Sequence, residues 1–400
     1  MFNIVNLSKA SVIYLLLVLA PIALILNFIG FDHIIIFIVA AIALIPLAKL
    51  IGDSTEHLSE YYGPTAGSLL NVTFGNSAEI IIAIVAISAG LLDLVKASIT
   101  GSILGNILLV FGLSLIAAGA YEKNKEQSFS KHNTSIQSSM LFLAIIGLAV
   151  PTILSHTVLR TTSYLIENQA KIQLLSDVLA FLLLSAYVAG ILFTFVTHKQ
   201  LFNYSRSEQQ KEGSKATIEG QGGQENTRFF QKKEERHRDH QKYKGNSIWS
   251  KKMSFIILGI SMVGVVALSE VLVDTVESTT KRFGFGKLFV GAIIVGIVGN
   301  AAEHSSAIML ARKGKLDVSI GIAAGSGTQV ALFVVPILVI AGMVMNRHFT
   351  LVFTVFELVA VFLGAIILNL ISHDGKSNWF EGFMLIIVYI IFAVGFFFIK

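Results

Sequence analysis

Long apolar runs separated by short polar breaks occupy almost the whole chain. Eleven of them are long enough to cross a bilayer as helices, since about 20 apolar residues cover its hydrocarbon core. They lie at 10–29, 33–60, 64–90, 92–120, 135–156, 173–198, 250–279, 286–311, 316–345, 349–372 and 378–399. The first follows Lys9 as a secretory leader would, but its run is too long and no small-x-small cleavage site follows, so it reads as a helix. One break differs from the rest: 199–249 is rich in Gln, Glu, Lys, Arg, Ser and Gly and reads as a solvated segment, with 225–243 a candidate charged helix. The expected divisions are an N-terminal transmembrane helix (1–32), a first five-helix unit (33–198), a cytoplasmic polar loop (199–249) and a second five-helix unit (250–400).

Two polar interruptions inside apolar runs match each other. Gly75-Asn76-Ser77-Ala78-Glu79 lies within 69–87, and Gly299-Asn300-Ala301-Ala302-Glu303-His304 within 288–310. Sliding the chain by 224 residues places Gly75, Asn76, Ala78, Glu79, Ala83 and Ile84 on Gly299, Asn300, Ala302, Glu303, Ala307 and Ile308. Without a gap, the same register puts Gly101-Ser102 on Gly325-Ser326, Gly67 on Gly291, Ser54-Thr55 on Ser278-Thr279 and Asp53 on Glu277. This is an internal repeat. The motifs fall on spans three and eight, and an odd separation reverses the direction of crossing. The expected fold is therefore an all-α integral membrane protein of eleven transmembrane helices, one N-terminal helix plus two inverted five-helix repeats.

Composition agrees with a polytopic membrane protein: 54% of the 400 residues are hydrophobic and 14% charged. There are no cysteines, which excludes disulfides and thiolate metal sites. The net charge of +5 does not suggest nucleic-acid binding. Residues 199–252 hold 13 Lys/Arg against 7 Asp/Glu, which leaves the remainder at about −1. Orientation rests on the same loop: Lys and Arg number 21 against 8 across the two sides with it, and 8 against 8 without it. That places the N-terminus and the loop in the cytoplasm, in a cell membrane if the source is prokaryotic and a vacuolar-type membrane if it is eukaryotic.

A carboxylate at mid-membrane costs about 2.5–3.5 kcal/mol on insertion scales, and an unpaired buried charge is neutralised or finds a partner. A single such Glu can be a protonated packing residue; two in matched inverted settings indicate one shared cation site. On a helix Gly75, Asn76, Glu79, Ala83 and Ala86 share a face, as do Gly299, Asn300, Glu303, Ser306 and Ala307. The small residues permit close helix packing in lipid, and a Gly-Asn pair favours a local break that frees backbone carbonyls. Two carboxylates with carbonyl oxygens form a hard, all-oxygen environment suited to Ca²⁺ rather than Zn²⁺ or Cu⁺. Two adjacent carboxylates in low dielectric cannot easily both stay ionised, so Ca²⁺ or protons, but not both, compensate Glu79 and Glu303.

Further polar residues extend the reading. Ser102 with Asn106, and Ser326 with Gln329, can supply neutral oxygens beside the pair or simply bond helix to helix. His304 adjoins Glu303 but points about 100° away on the helix; it either takes part in proton transfer or is structural. Asp53, Glu56 and Glu60 form one acidic stripe at the end of span two, and Glu270, Asp274 and Glu277 another at the end of span seven. They are either cation entrances, one per face, or solvated helix ends. Glu357 is expected well inside span ten, facing protein or water, without a counterpart in the first half.

These motifs resemble the two repeats of the cation/proton exchanger family, the Ca²⁺/H⁺ antiporters of the calcium/cation antiporter superfamily. Lys96–Asn106, Gly325–Phe333 and Asp374–Gly382 are similar to further segments of that family, and the resemblance covers about 45–400 apart from the loop. It implies eleven helices, Ca²⁺ moved against H⁺ by alternating access, and metal coordination by Glu79 and Glu303 with backbone oxygens of neighbouring motif residues. The family often has an acidic helix between its sixth and seventh spans. Here that segment is net basic, with only Glu234, Glu235 and Asp239 close together. A Na⁺-coupled Ca²⁺ exchanger is the nearest alternative, but its Gly-Thr-Ser-x-Pro-Glu type of motif differs from Asn76 and Asn300, with no proline in either motif. A cation channel would need a continuous pore, and an intramembrane protease a second matched Asp beside the Gly52-Asp53 hint. The expected partners are Ca²⁺, H⁺ and the lipid bilayer, in a transporter rather than an enzyme; a homo-oligomer is left open.

Overall fold

The structure, a computed structural model, describes residues 11–62, 64–121, 126–157, 165–198 and 249–399. The polar segment 199–248, with Glu234, Glu235 and Asp239, lies outside them, as do residues 1–10. Apart from a two-strand ribbon, the regular structure is helical. A turn of helix at Ser11–Leu15 and a 3₁₀ turn at Leu16–Val18 lead into α1 (Leu19–Phe28), followed by α2 (His33–Tyr62). The third predicted span is two helices, α3 (Pro64–Gly75) and α4 (Ser77–Ser88), interrupted at Asn76. Next come α5 (Leu92–Leu104), α6 (Phe111–Tyr121), α7 (Lys131–Thr157) and α8 (Leu165–Leu192).

The second half follows in the same order. It comprises α9 (Lys251–Phe283), α10 (Gly296–Ala311), α11 (Leu316–Gln329), α12 (Val335–Val344), α13 (Val355–Ser372) and α14 (Trp379–Phe398). Among the described residues, nine helices are long and apolar enough to cross a membrane, and Ile13–Phe28 and Ser77–Ser88 are shorter apolar helices. Exposed Phe181, Leu182 and Val188 on α8, and Ile390, Ile391 and Val394 on α14, give these helices the apolar outer surface that lipid requires.

Local chemistry sets several boundaries. Ser250 caps α9 by accepting from Met253 N, and Gly284 ends it in the left-handed region at φ 69°, where a glycine carries no steric penalty. Asn378 caps α14 by accepting from Phe380 N and Glu381 N. Span ten begins later than its apolar run predicts. Residues after the turn at Asn346 (φ 53°) run without regular structure until Thr354, which opens α13 with a capping box. Glu357 is therefore in the first turn of α13, not deep within a span: Glu357 N donates to Thr354 Oγ1 at 3.2 Å, and Thr354 N donates to Glu357 Oε2 at 2.8 Å.

Packing is closest where the halves meet. A π-helical stretch at Val290–Val295 precedes α10 and lies against α5. A Cβ on Gly101 would sit 1.8 Å from Ala292 O, and one on Gly291 would sit 2.6 Å from Ala97 Cβ. Only glycine lets these backbones approach so far, the small-residue packing expected in lipid. Two more π-helical stretches, Gly105–Val110 and Val330–Val334, follow α5 and α11. A two-stranded antiparallel ribbon, β1 (Gln127–Ser128) with β2 (Lys376–Ser377), ties the turn before α7 to the turn after α13.

Candidate functional site

The break at Asn76 makes α4 begin at Ser77, so Glu79 lies in its first turn, where unpaired N–H groups and the helix dipole favour a negative charge. Asn76 itself has φ −92° and ψ 15° and caps nothing with its side chain. Its copy, Asn300, stays within a continuous α10. The predicted Gly-Asn break therefore forms in the first motif and not in the second. Asn300 Nδ2 donates to Gly296 O one turn back at 3.0 Å and to Ser102 Oγ at 2.8 Å, which holds it in the helix.

The two motifs meet reciprocally. A Cβ on Gly299 would lie 3.1 Å from Glu79 Cγ and 3.7 Å from its Oε1. A Cβ on Gly75 would lie 3.4 Å from Glu303 Oε1. Each glutamate is thus seated on the motif glycine of the other half. Glu79 is buried and Glu303 partly buried.

Three of the four accessory residues bond a motif asparagine directly, and Ser326 joins through Asn106. Asn76 Nδ2 donates to Gln329 Oε1 at 3.0 Å, and Asn106 Nδ2 donates to Asn300 Oδ1 at 3.0 Å and to Ser326 Oγ at 3.1 Å. After this network is satisfied, three buried oxygens remain without a hydrogen-bond partner: Asn76 Oδ1, Glu79 Oε2 and Glu303 Oε2. Such orphans are costly unless something occupies them. Asn76 and Asn300 consequently differ: the oxygen of Asn300 accepts from Asn106, while that of Asn76 is free. Among the described residues no three His, Cys, Asp or Glu side chains gather as a metal cluster, and the polar oxygens brought together here belong to two carboxylates, amides and hydroxyls.

His304 is buried on another face of α10. Its Cε1 would be 3.7 Å from a Cβ on Gly105, and its Nε2 has no partner. The acidic stripes are less open than their spacing predicts. Asp53 pairs with Lys49 at 2.9 Å and accepts a hydrogen bond from Tyr14, and Glu277 pairs with Lys287 at 3.1 Å and Lys281 at 3.7 Å. Glu56, Glu60, Glu270 and Asp274 are exposed, Glu60 at 3.9 Å from His57 Nδ1. Lys49 and Lys281 were legible as i, i+4 partners of Asp53 and Glu277, and Thr354-x-x-Glu357 as a capping box; Tyr14 and Lys287 carry no such local signal.

Two paired carboxylates that bridge two matching halves of a membrane bundle define a secondary transporter of the cation-exchanger type. The chain matches the family described as sodium/calcium exchanger protein over residues 33–196 and 253–398, and it belongs to that family. Within it the chain belongs with the Ca²⁺/H⁺ antiporters, the cation/proton exchangers. It is 39% identical over 395 residues to a Ca²⁺/H⁺ antiporter of Aphanothece halophytica, covering 98% of both chains. It is 38% identical to the Ca²⁺/H⁺ antiporter ChaA of Bacillus subtilis, covering 96% of this chain and 99% of the other. It is 34% identical to vacuolar cation/proton exchanger 3 of rice, covering 97% and 86%. The structure of native YfkE superposes with a TM-score of 0.75 at 34% identity, covering 96% of this chain and 99% of that one. An H⁺/Ca²⁺ exchanger structure shares the fold at a TM-score of 0.66 and 14% identity. The protein is a multi-pass membrane protein.

Proposed function

We propose that this protein exchanges Ca²⁺ for H⁺ across a membrane by alternating access, with Glu79 and Glu303 binding either one Ca²⁺ or protons. The observation that carries the reading is the reciprocal seating of each glutamate on the opposite motif glycine, with Glu79 Oε2, Glu303 Oε2 and Asn76 Oδ1 unpartnered. Ca²⁺ requires several oxygens at once and compensates both carboxylates together; protons compensate them one at a time. Occupancy is therefore exclusive, which is what couples the two fluxes. Backbone oxygens near Gly75 and Gly299 complete the shell, while Asn300, Ser102, Asn106, Ser326 and Gln329 orient it. His304 adjusts the packing of α10 on the π-helical stretch at Gly105.

This reading uses eleven crossings, one helix plus two inverted five-helix repeats at 33–198 and 250–400, with the N-terminus and 199–249 in the cytoplasm. The exposed carboxylates Glu56, Glu60, Glu270 and Asp274 serve as cation entrances, while Asp53 and Glu277 are held by lysines.

The test is Ca²⁺ uptake into sealed proteoliposomes loaded at acidic pH without Na⁺, beside Glu79→Gln and Glu303→Gln. Uptake that collapses with a protonophore, and falls to the protein-free level in both variants, is expected. Uptake that appears only with internal Na⁺ moves the protein to the Na⁺-coupled branch. Uptake indifferent to both substitutions overturns the site.

A further inference from the structure

Outside the paired glutamates, a second polar chain of groups enters the bundle from one end. A cavity of about 680 Å³ lies between α5, α7, α8 and the segment before α13, lined by Lys96, Ser155, Gln173, Asp177, His348 and Thr350 among others. These residues lie at the end of α8 far from residue 198, so the cavity is at the opposite end of the bundle from the junction with 199–248. Further along the same helices is a second, small space of about 10 Å³, lined by Thr100, Glu357 and apolar side chains such as Ile145 and Leu148. All three elements place it inward of the larger cavity: Thr100 is one turn beyond Lys96 on α5, Leu148 is two turns below Ser155 on α7, and Glu357 follows Val352. About 10 Å³ is the room one water needs.

Glu357 is 1% exposed. Its capping role uses Oε2 only, and Oε1 is buried without a hydrogen-bond partner. An apolar void would not need a carboxylate in its wall, and a carboxyl oxygen needs either a proton or a donor there. The charged groups that act on Glu357 are Lys96 and Asp93, both on α5. Lys96 has no carboxylate within ion-pair distance among the described residues; its Nζ sits 6.0 Å from the Phe349 ring. On α7 the nearest titratable side chain toward that end, His156, is bonded to Thr152 O at 2.8 Å. On α14 the neighbouring level is filled by Phe392 and Phe396, which pack on Phe356.

We propose that Glu357, with a water held between it and Thr100 and with Lys96 as its counter-charge, is a second proton-binding site, served by the 680 Å³ cavity and separate from the cation centre. A hydronium ion in the outer cavity gives up one O–H proton, which forms the O–H bond on Glu357 Oε1 and leaves water behind; release reverses the step by the same route. Thr100 precedes Gly101 and Ser102, so the site lies within one turn of Ser102, which accepts from Asn300. The inference deepens the exchange reading and rests on it: a proton taken up from that end changes the charge beside the residues that orient Asn300, without itself being exchanged for Ca²⁺.

The experiment uses the full chain in proteoliposomes, with pH varied on one side at a time, for wild type, Glu357→Gln and Thr100→Val. Glutamine at this position keeps the capping box, so the helix start is retained. The half-maximal pH of uptake is expected to move by about one unit, a tenfold change in proton affinity, for one side only. The same samples are read by infrared difference spectroscopy between high and low pH, where one protonated-carboxyl band is expected to vanish in Glu357→Gln and to shift in Thr100→Val. Superimposable pH profiles with an unchanged carboxyl band overturn the proposal. Absence of proton-coupled uptake in wild type would instead count against the exchange reading, and the infrared band still decides whether Glu357 binds a proton.

Discussion

At the scale of single residues, the matched motifs are chemically equivalent in sequence and unequal in space. Gly299 and Gly75 both face a glutamate, but a methyl group at Gly299 comes 3.1 Å from Glu79 Cγ, whereas at Gly75 it stays 3.4 Å from Glu303 Oε1. The first forces the carboxylate aside by a few tenths of an ångström; the second is ordinary contact. Gly299→Ala is therefore expected to weaken apparent Ca²⁺ affinity about tenfold or more, and Gly75→Ala less, as measured by initial uptake rates across a Ca²⁺ series. Equal effects would show that Glu79 moves freely. The identity of the two glutamates was legible because a carboxylate inside an apolar run demands a reason. The free oxygen on Asn76 was not, because Asn76 and Asn300 differ only in the neighbours that bond them.

At the scale of elements, apolar length alone located most helices, since crossing a bilayer requires a minimum rise. It misjudged the ends of two. Residues 349–354 are apolar enough to extend a span, yet Thr354 and Glu357 start the helix at Val355 because the capping box satisfies the first free N–H groups. Within 64–88 apolar length gives one span where the chain forms two helices, and the break falls at Asn76, where the Gly-Asn pair predicts it. Close packing between elements is testable at Gly101. Gly101→Val puts its Cβ 1.8 Å from Ala292 O, a backbone atom that cannot rotate away. Overpacking of this kind costs about 1–3 kcal/mol or more. The variant is expected to lower the unfolding midpoint in detergent by several degrees, whereas Gly259→Ala, with open space around its Cβ position, should not.

At the scale of the whole molecule, the residue that opens α2 is clamped to the end of α9. Asp32 caps α2 by accepting from Ile34 N at 3.0 Å, and Arg282 near the end of α9 bonds its other oxygen. The Arg282 guanidinium, with a smaller help from the backbone N–H groups, holds the Asp32 carboxyl below its ordinary value. A lowered carboxyl stabilises the fold above its unfolded value of about 3.9, and that contribution disappears as pH falls through the lower folded value. Asp32→Asn keeps the cap but loses the charge. Its unfolding midpoint is expected below that of wild type at neutral pH, with the gap closing under acid; a gap that persists at low pH would show that the ion pair is not its source.

From sequence alone come the helical class, the long apolar runs, the paired motifs and the choice of Ca²⁺ over softer metals, because these depend on composition, period and ligand chemistry along one strand of chain. Only the tertiary structure decides which polar atoms are already used. The bonds that consume Asn300 and leave Asn76 Oδ1 open join residues 194 to 253 positions apart. The Tyr14 hydroxyl on Asp53, Lys287 on Glu277 and the water-sized space beside Glu357 are likewise set by which elements lie side by side. A hydrogen bond is satisfied or left open by what lies across from it, and spacing along the chain does not carry that information.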